Sequence, residues 1–439
     1  MEGLFNSPFM IKLQEFGQTL GRNKYLSALQ AAMMSLMGVI MVGAIAQIIT
    51  AVGSTMFNLF SADSEIYAIL YTPYNYTMNM LALWIVVIMG FNYARNLEIK
   101  APIISAVESL VAFLLIAGPL QVTEAGITVM DSTYLGAQGM FMGFVVVFVV
   151  VQIDRLCAEH NIYIKMPDIV PQFLQDGFAG IVPLLFNVII FQTLATAVNI
   201  GTGGAYTVCS GFMALLAVPL AGLTSVPGMF ILCLFAALLW CFGIHGAMVL
   251  VPIIMPLGIQ AAMANAEAYA TGGVAALVFY PIALFSGMSS AGGSGNTLPL
   301  VLMSLRSKSE QMRAVAKAGL IPGWFNINEP VTFGMPIMYN PVLCIPYVLS
   351  VVVNIFFWWI GYSTGIIIPA WISITALLPI GFAQYLSTLN PMNAVWDYLS
   401  LIPTGLVWYP FFKAYEKQLV AQEEEARKLE EAEAAQASA

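Results

Sequence analysis

Apolar runs about twenty residues long recur along this chain, separated by short polar segments. As helices, such runs match a hydrocarbon core of roughly 30 Å. Membrane-spanning helices are predicted at 27–52, 76–93, 102–121, 135–153, 179–200, 208–226 and 228–257, and again near 347–368, 370–389 and 394–412. Between them lie two stretches that the period does not fit. Residues 274–288 are apolar but too short to cross comfortably, and they run into Ser289-Ser290-Ala291-Gly292-Gly293-Ser294-Gly295-Asn296, after which 297–305 is short again. Residues 323–346 carry Pro330, Pro336, Pro341 and Pro346, which rules out one continuous helix. Non-helical backbone at membrane depth survives only where protein buries it or it lines a wet cavity. Two re-entrant hairpins near 274–305 and 319–346 are therefore expected, as broken segments of this kind mark transporter binding sites.

Composition excludes a soluble domain. Of 439 residues, 60% are hydrophobic and 9% charged, against about a quarter charged in ordinary globular domains. All fifteen Lys and Arg fall in five clusters: Lys12/Arg22/Lys24, Arg95/Lys100, Arg155/Lys165, Arg306/Lys308/Arg313/Lys317 and Lys413/Lys417/Arg427/Lys428. Loops around 53–75, 121–134 and 200–207 have none. The positive-inside rule places the clusters and both termini in the cytoplasm. The run after Arg22 and Lys24 passes beyond the cleavage-like Ala44-Ile45-Ala46, so we read a first span and not a signal peptide. An orderly scaffold (1–205), a site-bearing half (206–412) and an acidic tail helix (413–439) follow. In the tail, Glu423/Arg427 and Glu424/Lys428 have the spacing of helical ion pairs, and solvation is expected.

Chemistry concentrates in few places. Soluble-enzyme motifs such as GxxxxGK[ST], HExxH and GxSxG are absent, and the scattered Cys157, Cys209, Cys233, Cys241 and Cys344 suggest neither a zinc site nor a disulfide framework. Neither metal, cofactor nor nucleic acid is expected. In Asn326-Ile327-Asn328-Glu329-Pro330, a carboxylate sits at membrane depth, where insertion costs about 3 kcal/mol. Two amides precede it and a proline opens the backbone behind it, an arrangement suited to a hydroxyl-rich ligand. Glu329 could also act as general base toward such a hydroxyl; the alternative is a Glu that caps amides freed by the proline. His245, in Gly243-Ile244-His245-Gly246, would bond the ligand, orient Glu329, or merely satisfy a helix carbonyl. Trp240 and Trp371 are candidate stacking platforms, although Trp240 shares a helical face with His245 only if the glycines break the helix. Gln138 and Gly139 could face the pathway, and Ser294 and Asn296, in the glycine run, are candidate substrate contacts. Glu108, beside Ser105 and Ser109, is expected to bond a helix neighbour within the scaffold.

With Gly243-Ile244-His245-Gly246 and Asn326-Ile327-Asn328-Glu329-Pro330, the chain resembles, over residues 10–412, the membrane component (enzyme IIC) of the bacterial sugar phosphotransferase system, in its lactose/cellobiose/diacetylchitobiose branch. The resemblance implies an all-α homodimer in the cytoplasmic membrane, with about ten transmembrane helices and two re-entrant hairpins per subunit. Its first half would form the dimer interface. A β-linked disaccharide would move inward, and cytoplasmic phospho-enzyme IIB, fed by IIA, would phosphorylate its 6-hydroxyl. Glu329 would be the catalytic base and His245 its orienting partner. Asn328 and Trp240 would be sugar contacts, with Asn326, Gly246 and Trp371 beside them. The acidic tail, in place of a fused IIB, favours the cellobiose or diacetylchitobiose type. A proton-coupled secondary sugar transporter using Glu329 as proton carrier is the alternative that broken helices also suit.

Overall fold

The computed structural model describes residue 19 and residues 22–437, apart from residues 62, 336, 339, 376 and 377. Lys12 and Pro336 lie outside the described residues. The chain is helical nearly throughout. Its helices are α1 (Lys24–Ser35), α2 (Met37–Ala51), α3 (Glu65–Thr77), α4 (Leu81–Asn96), α5 (Pro102–Ala117), α6 (Met140–Glu159), α7 (Gln172–Gly201), α8 (Val208–Leu223), α9 (Val226–Cys241), α10 (Gly246–Gly272), α11 (Leu298–Ser304), α12 (Glu310–Trp324), α13 (Glu329–Gly334), α14 (Pro341–Ser363), α15 (Phe382–Thr388), α16 (Pro391–Leu399) and α17 (Leu401–Ala437). Among the described residues the only sheet is an exposed antiparallel hairpin, β1 (Leu120–Val122) against β2 (Thr128–Met130), with Leu120 opposite Met130. Among the described residues, six helical segments are long and apolar enough to cross a membrane, and Pro102–Ala117, Val208–Ala217 and Val226–Cys241 are shorter apolar helices.

Two spans differ from the sequence reading. The single span expected at 228–257 is two helices, because the chain turns at Gly243 (φ 75°) between α9 and α10. A left-handed φ is open to glycine without the clash a Cβ would bring. The span expected at 370–389 is irregular in its described residues before Phe382, where the seven residues of α15 begin, with Pro369 and Pro379 flanking the break.

Apolar burial gathers into two main cores. The first packs α4 against α1, α5 and α6, with Ile85, Met89, Phe113 and Val147 at its centre. The second packs α14 against α9 and α17, and α11 against α12, around Tyr347, Trp358 and Trp408. Helix α10 joins both: Ile259 lies in the first core while Leu250 and Ile254 lie in the second. A small third cluster ties Ala44 and Ala51 of α2 to Trp371 and Ile372, and the Gln47 amide donates to the Trp371 carbonyl at 3.0 Å.

The tail does not stand free. Helix α17 runs unbroken from Leu401 to Ala437 and lays Tyr415 and Leu419 in the second core. Glu423 is turned to the start of α12, accepting from Ser309 Oγ (2.6 Å) and the amides of Glu310 and Gln311 (both 3.1 Å). Glu416 likewise accepts from the Lys308 amide at 2.8 Å. The expected solvated helix is thus a helix with one face docked, since carboxylates near a helix N-terminus fill orphan amide donors. Partial burial alone would push Glu423 up. The bonds from Ser309, Gln311 and Glu310, with the nearby Arg313 charge, outweigh it and hold Glu423 below the usual carboxylate range.

Candidate functional site: a carboxylate at the junction of two loops

Two short loops interlock where the helical period fails. The first, residues 289–297, follows a 3-10 segment (Pro281–Met288) and carries Gly292, Gly293 and Gly295 at positive φ. The second, residues 325–328, leaves the end of α12 and enters α13, with Asn326 itself at φ 61°. The Gly292 amide donates to Asn326 Oδ1 at 3.0 Å, and Asn328 Nδ2 donates to the Ser294 carbonyl at 2.6 Å. A Cβ on Gly293 would sit 2.8 Å from the Asn326 carbonyl oxygen and 2.9 Å from the Asn328 Cβ, so this close approach admits only glycine. The two sequence motifs are therefore one structural unit.

The loop backbone is secured from behind. Trp408 Nε1 donates to the carbonyls of Gly295 (3.2 Å) and Asn296 (3.0 Å), and Ser350 Oγ donates to Gly295 (2.6 Å). Asn354 Nδ2 reaches Gly287, Ser290 Oγ and Asn296 Oδ1 at 2.9–3.0 Å. Such bonds are the condition for irregular backbone to persist inside a membrane.

Glu329 opens α13 at the front of this unit, its side chain 44% exposed. His245 caps α10: its Nδ1 accepts the Met248 amide at 3.3 Å, and its Nε2 faces Glu329 Oε1 at 3.7 Å. A neutral imidazole that accepts at Nδ1 carries its proton at Nε2. The donor therefore points at the carboxylate across a gap too long for a hydrogen bond. One hydroxyl could bridge it, accepting from His245 and donating to Glu329. The turn at Gly243 also brings Trp240 onto His245, ring centroids 4.4 Å apart and tilted 48°, and leaves the indole N–H with no acceptor among the described residues. That is the broken-helix condition under which these two share a site.

Of the residues singled out in the sequence, Glu329, His245, Trp240, Asn326, Asn328 and Ser294 assemble here. The rest are placed otherwise. Asn296 is fully buried, its side chain spent on the Ala291 amide and the Gly287 and Ser350 carbonyls. Gly246 permits close packing on α9, a Cβ there falling 2.0 Å from the Ala236 carbonyl oxygen. Trp371 stacks on Tyr269 at 3.9 Å and donates to the Thr388 carbonyl, at the contact with α2. Gln138 is exposed in a short 3-10 turn. Sequence reasoning passed over Asp397, 2% exposed, which accepts the Gly381 amide at 2.8 Å with its second oxygen unpartnered. An acidic residue within a predicted span (394–412) was the available signal.

Comparison with known proteins agrees with this architecture. The family model for the phosphotransferase system EIIC component matches residues 30–351. The oligo-beta-mannoside-specific EIIC component of Bacillus subtilis is 29% identical over 92% of this chain and 93% of its own length. The lactose-specific EIICB component of Lacticaseibacillus casei is 28% identical over 94% of this chain and 71% of its own. Among solved structures, the transporter ChbC, the IIC component of the N,N'-diacetylchitobiose-specific phosphotransferase system, superposes with a TM-score of 0.84 at 25% identity, covering 96% of this chain and 99% of that one. The apolar helices, the joined loops and these matches establish the chain as a member of the phosphotransferase system EIIC family, the membrane component of a sugar phosphotransferase that works with a IIB component.

Proposed function

We propose that the protein carries a β-linked disaccharide of the cellobiose or diacetylchitobiose type inward and presents its 6-hydroxyl to phospho-IIB at Glu329. The observation that carries this reading is the His245 Nε2–H directed at Glu329 Oε1 across 3.7 Å, at the front of the interlocked loops. In the reaction, the 6-hydroxyl gives its proton to the Glu329 carboxylate as its oxygen attacks phosphorus in line. The sulfur–phosphorus bond of the IIB phosphocysteine breaks, and the thiolate leaves with the electron pair. Phosphoryl transfer depends mainly on positioning and charge neutralisation. This chain supplies the positioned nucleophile and IIB the phosphoryl group. His245, neutral and fixed by Met248, orients the hydroxyl, with Trp240 and the loop amides as sugar contacts.

The wider arrangement completes the proposal. The chain forms about ten spans, with re-entrant hairpins at 274–305 and 319–346. The scaffold at 1–205 dimerises, residues 206–412 bind sugar, and both termini face the cytoplasm of a bacterial inner membrane. IIA acts through IIB. The two cores and the broken segments between α10 and α14 support this division.

Replacing Glu329 with Gln keeps the shape and a hydrogen-bonding group but removes the base. Disaccharide binding to the purified protein is expected to stay within a few-fold, while sugar phosphorylation by phospho-IIB is nearly abolished. Undiminished phosphorylation overturns the role given to Glu329. Accumulation of unmodified sugar in vesicles under a proton gradient overturns the phosphotransfer reading as a whole.

A further inference from the structure

Far from this site, in the first half, three buried polar side chains meet where α5, α6 and α7 pack together: Glu108, Asp154 and Asn187. We propose that Glu108 and Asp154 hold one proton between them, and that this neutralised acid pair, through Asn187, seats α7 on the scaffold.

The geometry is short of donors. Asn187 Nδ2 donates to Glu108 Oε2 at 3.3 Å and to Asp154 Oδ1 at 3.5 Å, two weak bonds from one amide. Among the described residues Asn187 Oδ1 is enclosed without a partner, and the Ser105 hydroxyl also reaches Asp154. The two carboxyl groups are themselves within hydrogen-bonding reach of each other. Ionised carboxylates only accept, so that contact requires a proton on one of them. Without it, two like charges would share a dry site, which is among the costliest arrangements a protein interior can hold.

Among the described residues no basic side chain supplies the balance. Arg155, next in sequence to Asp154, turns to Glu159 at 2.7 Å, and Arg95 on α4 bonds Asn92. The other titratable group facing the pair is the Cys157 thiol, which carries no positive charge. An alkali cation fits poorly, because Asn187 turns its amide nitrogen, not its oxygen, toward the carboxylates. A proton is the one cation that this donor set accommodates.

The arrangement explains how α7 is held. In this thirty-residue helix the buried positions are Pro183, Asn187 and Phe191, one stripe at four-residue spacing with the polar residue in its centre. Gly180 makes room on the same helix: a Cβ there would lie 3.0 Å from Glu108 Oε1.

Infrared spectroscopy of the full-length protein in lipid bilayers at neutral pH tests the proposal. The expected result is a buried carboxylic-acid carbonyl band that Glu108→Gln removes, the new amide standing in for the acid as donor to Asp154. A band that persists unchanged in Glu108→Gln overturns the proposal. So does a band that appears only when sodium is exchanged for choline, which would mark a sodium site. Should Glu108→Gln fail to assemble, the band is sought in a background carrying Glu329→Gln and Asp397→Asn. There it must remain, and its absence overturns the pairing.

Discussion

Glu108 and Glu329 are both glutamates in apolar sequence, yet the fold treats them oppositely. Glu108 is 2% exposed, faces a carboxyl and an amide from neighbouring helices, and has flanking helical turns that are continuous. Glu329 is 44% exposed, sits at a break between two loops, and faces a histidine donor 3.7 Å away. A carboxylate enclosed by its own partners serves the packing of the helices, whereas one left half-open with a donor aimed at it from beyond bonding distance can serve a ligand. Depth in the membrane alone does not separate these roles; the state of the backbone around the residue does.

Removing both carboxylates in turn sharpens this contrast most. Glu329→Ala is expected to cost about 10²–10⁴-fold in phosphoryl transfer, the usual range for a general base, with little change in melting temperature. Glu108→Ala is expected to leave transfer per folded molecule near wild type. It should instead cost about 1–3 kcal/mol of stability, since the Asn187 amide loses one of its two acceptors in a buried site. Transfer assays and thermal melts on the two purified variants check both halves. A transfer defect in Glu108→Ala matching that of Glu329→Ala breaks the comparison.

Next comes the seam between the loops. Gly293→Ala forces a Cβ into the Asn326 carbonyl at a φ of 81°, and such strain costs about 1–3 kcal/mol. The expected readout is lost sugar binding together with lost transfer, because the loop that positions Glu329 is displaced. Asn328→Ala removes the 2.6 Å bond to the Ser294 carbonyl. It should cost about 1–2 kcal/mol by leaving a buried acceptor unpaired, lowering the melting temperature and the transfer rate together.

The smallest effect lies where α17 docks on α12. Glu423→Gln weakens the bonds to the first amides of α12, worth about 0.3–1 kcal/mol before screening by salt. Since Glu423 titrates below its ordinary range when folded, its contribution is present above the unfolded value near 4.3 and is lost as pH falls through the folded value. Wild type should therefore lose slightly more stability than Glu423→Gln on acidification below about pH 4.

Much of this was legible in the sequence because hydrophobic period and backbone breaks are local signals. The glycine run and the prolines after Glu329 announced both loops, whereas the break beside His245 was raised only as a condition within a span expected to be continuous. Their interlock was not legible: that Asn326 receives Gly292 and Asn328 binds Ser294 depends on contacts 34 residues apart. The same limit hid the docking of Glu423 on Ser309, 114 residues away. It also hid the partners of Glu108, which come from two other helices. Trp371 and Asn296 were of the right residue type for a sugar site. Residue type cannot tell whether a ring already stacks on Tyr269 or an amide is already spent on backbone.

The structure of the protein with a bound disaccharide would test the central claim most directly. The 6-hydroxyl oxygen should lie about 2.6–3.2 Å from a Glu329 carboxylate oxygen, within reach of His245 Nε2. A sugar seated elsewhere, with Glu329 left facing water and no hydroxyl between it and His245, would contradict the account.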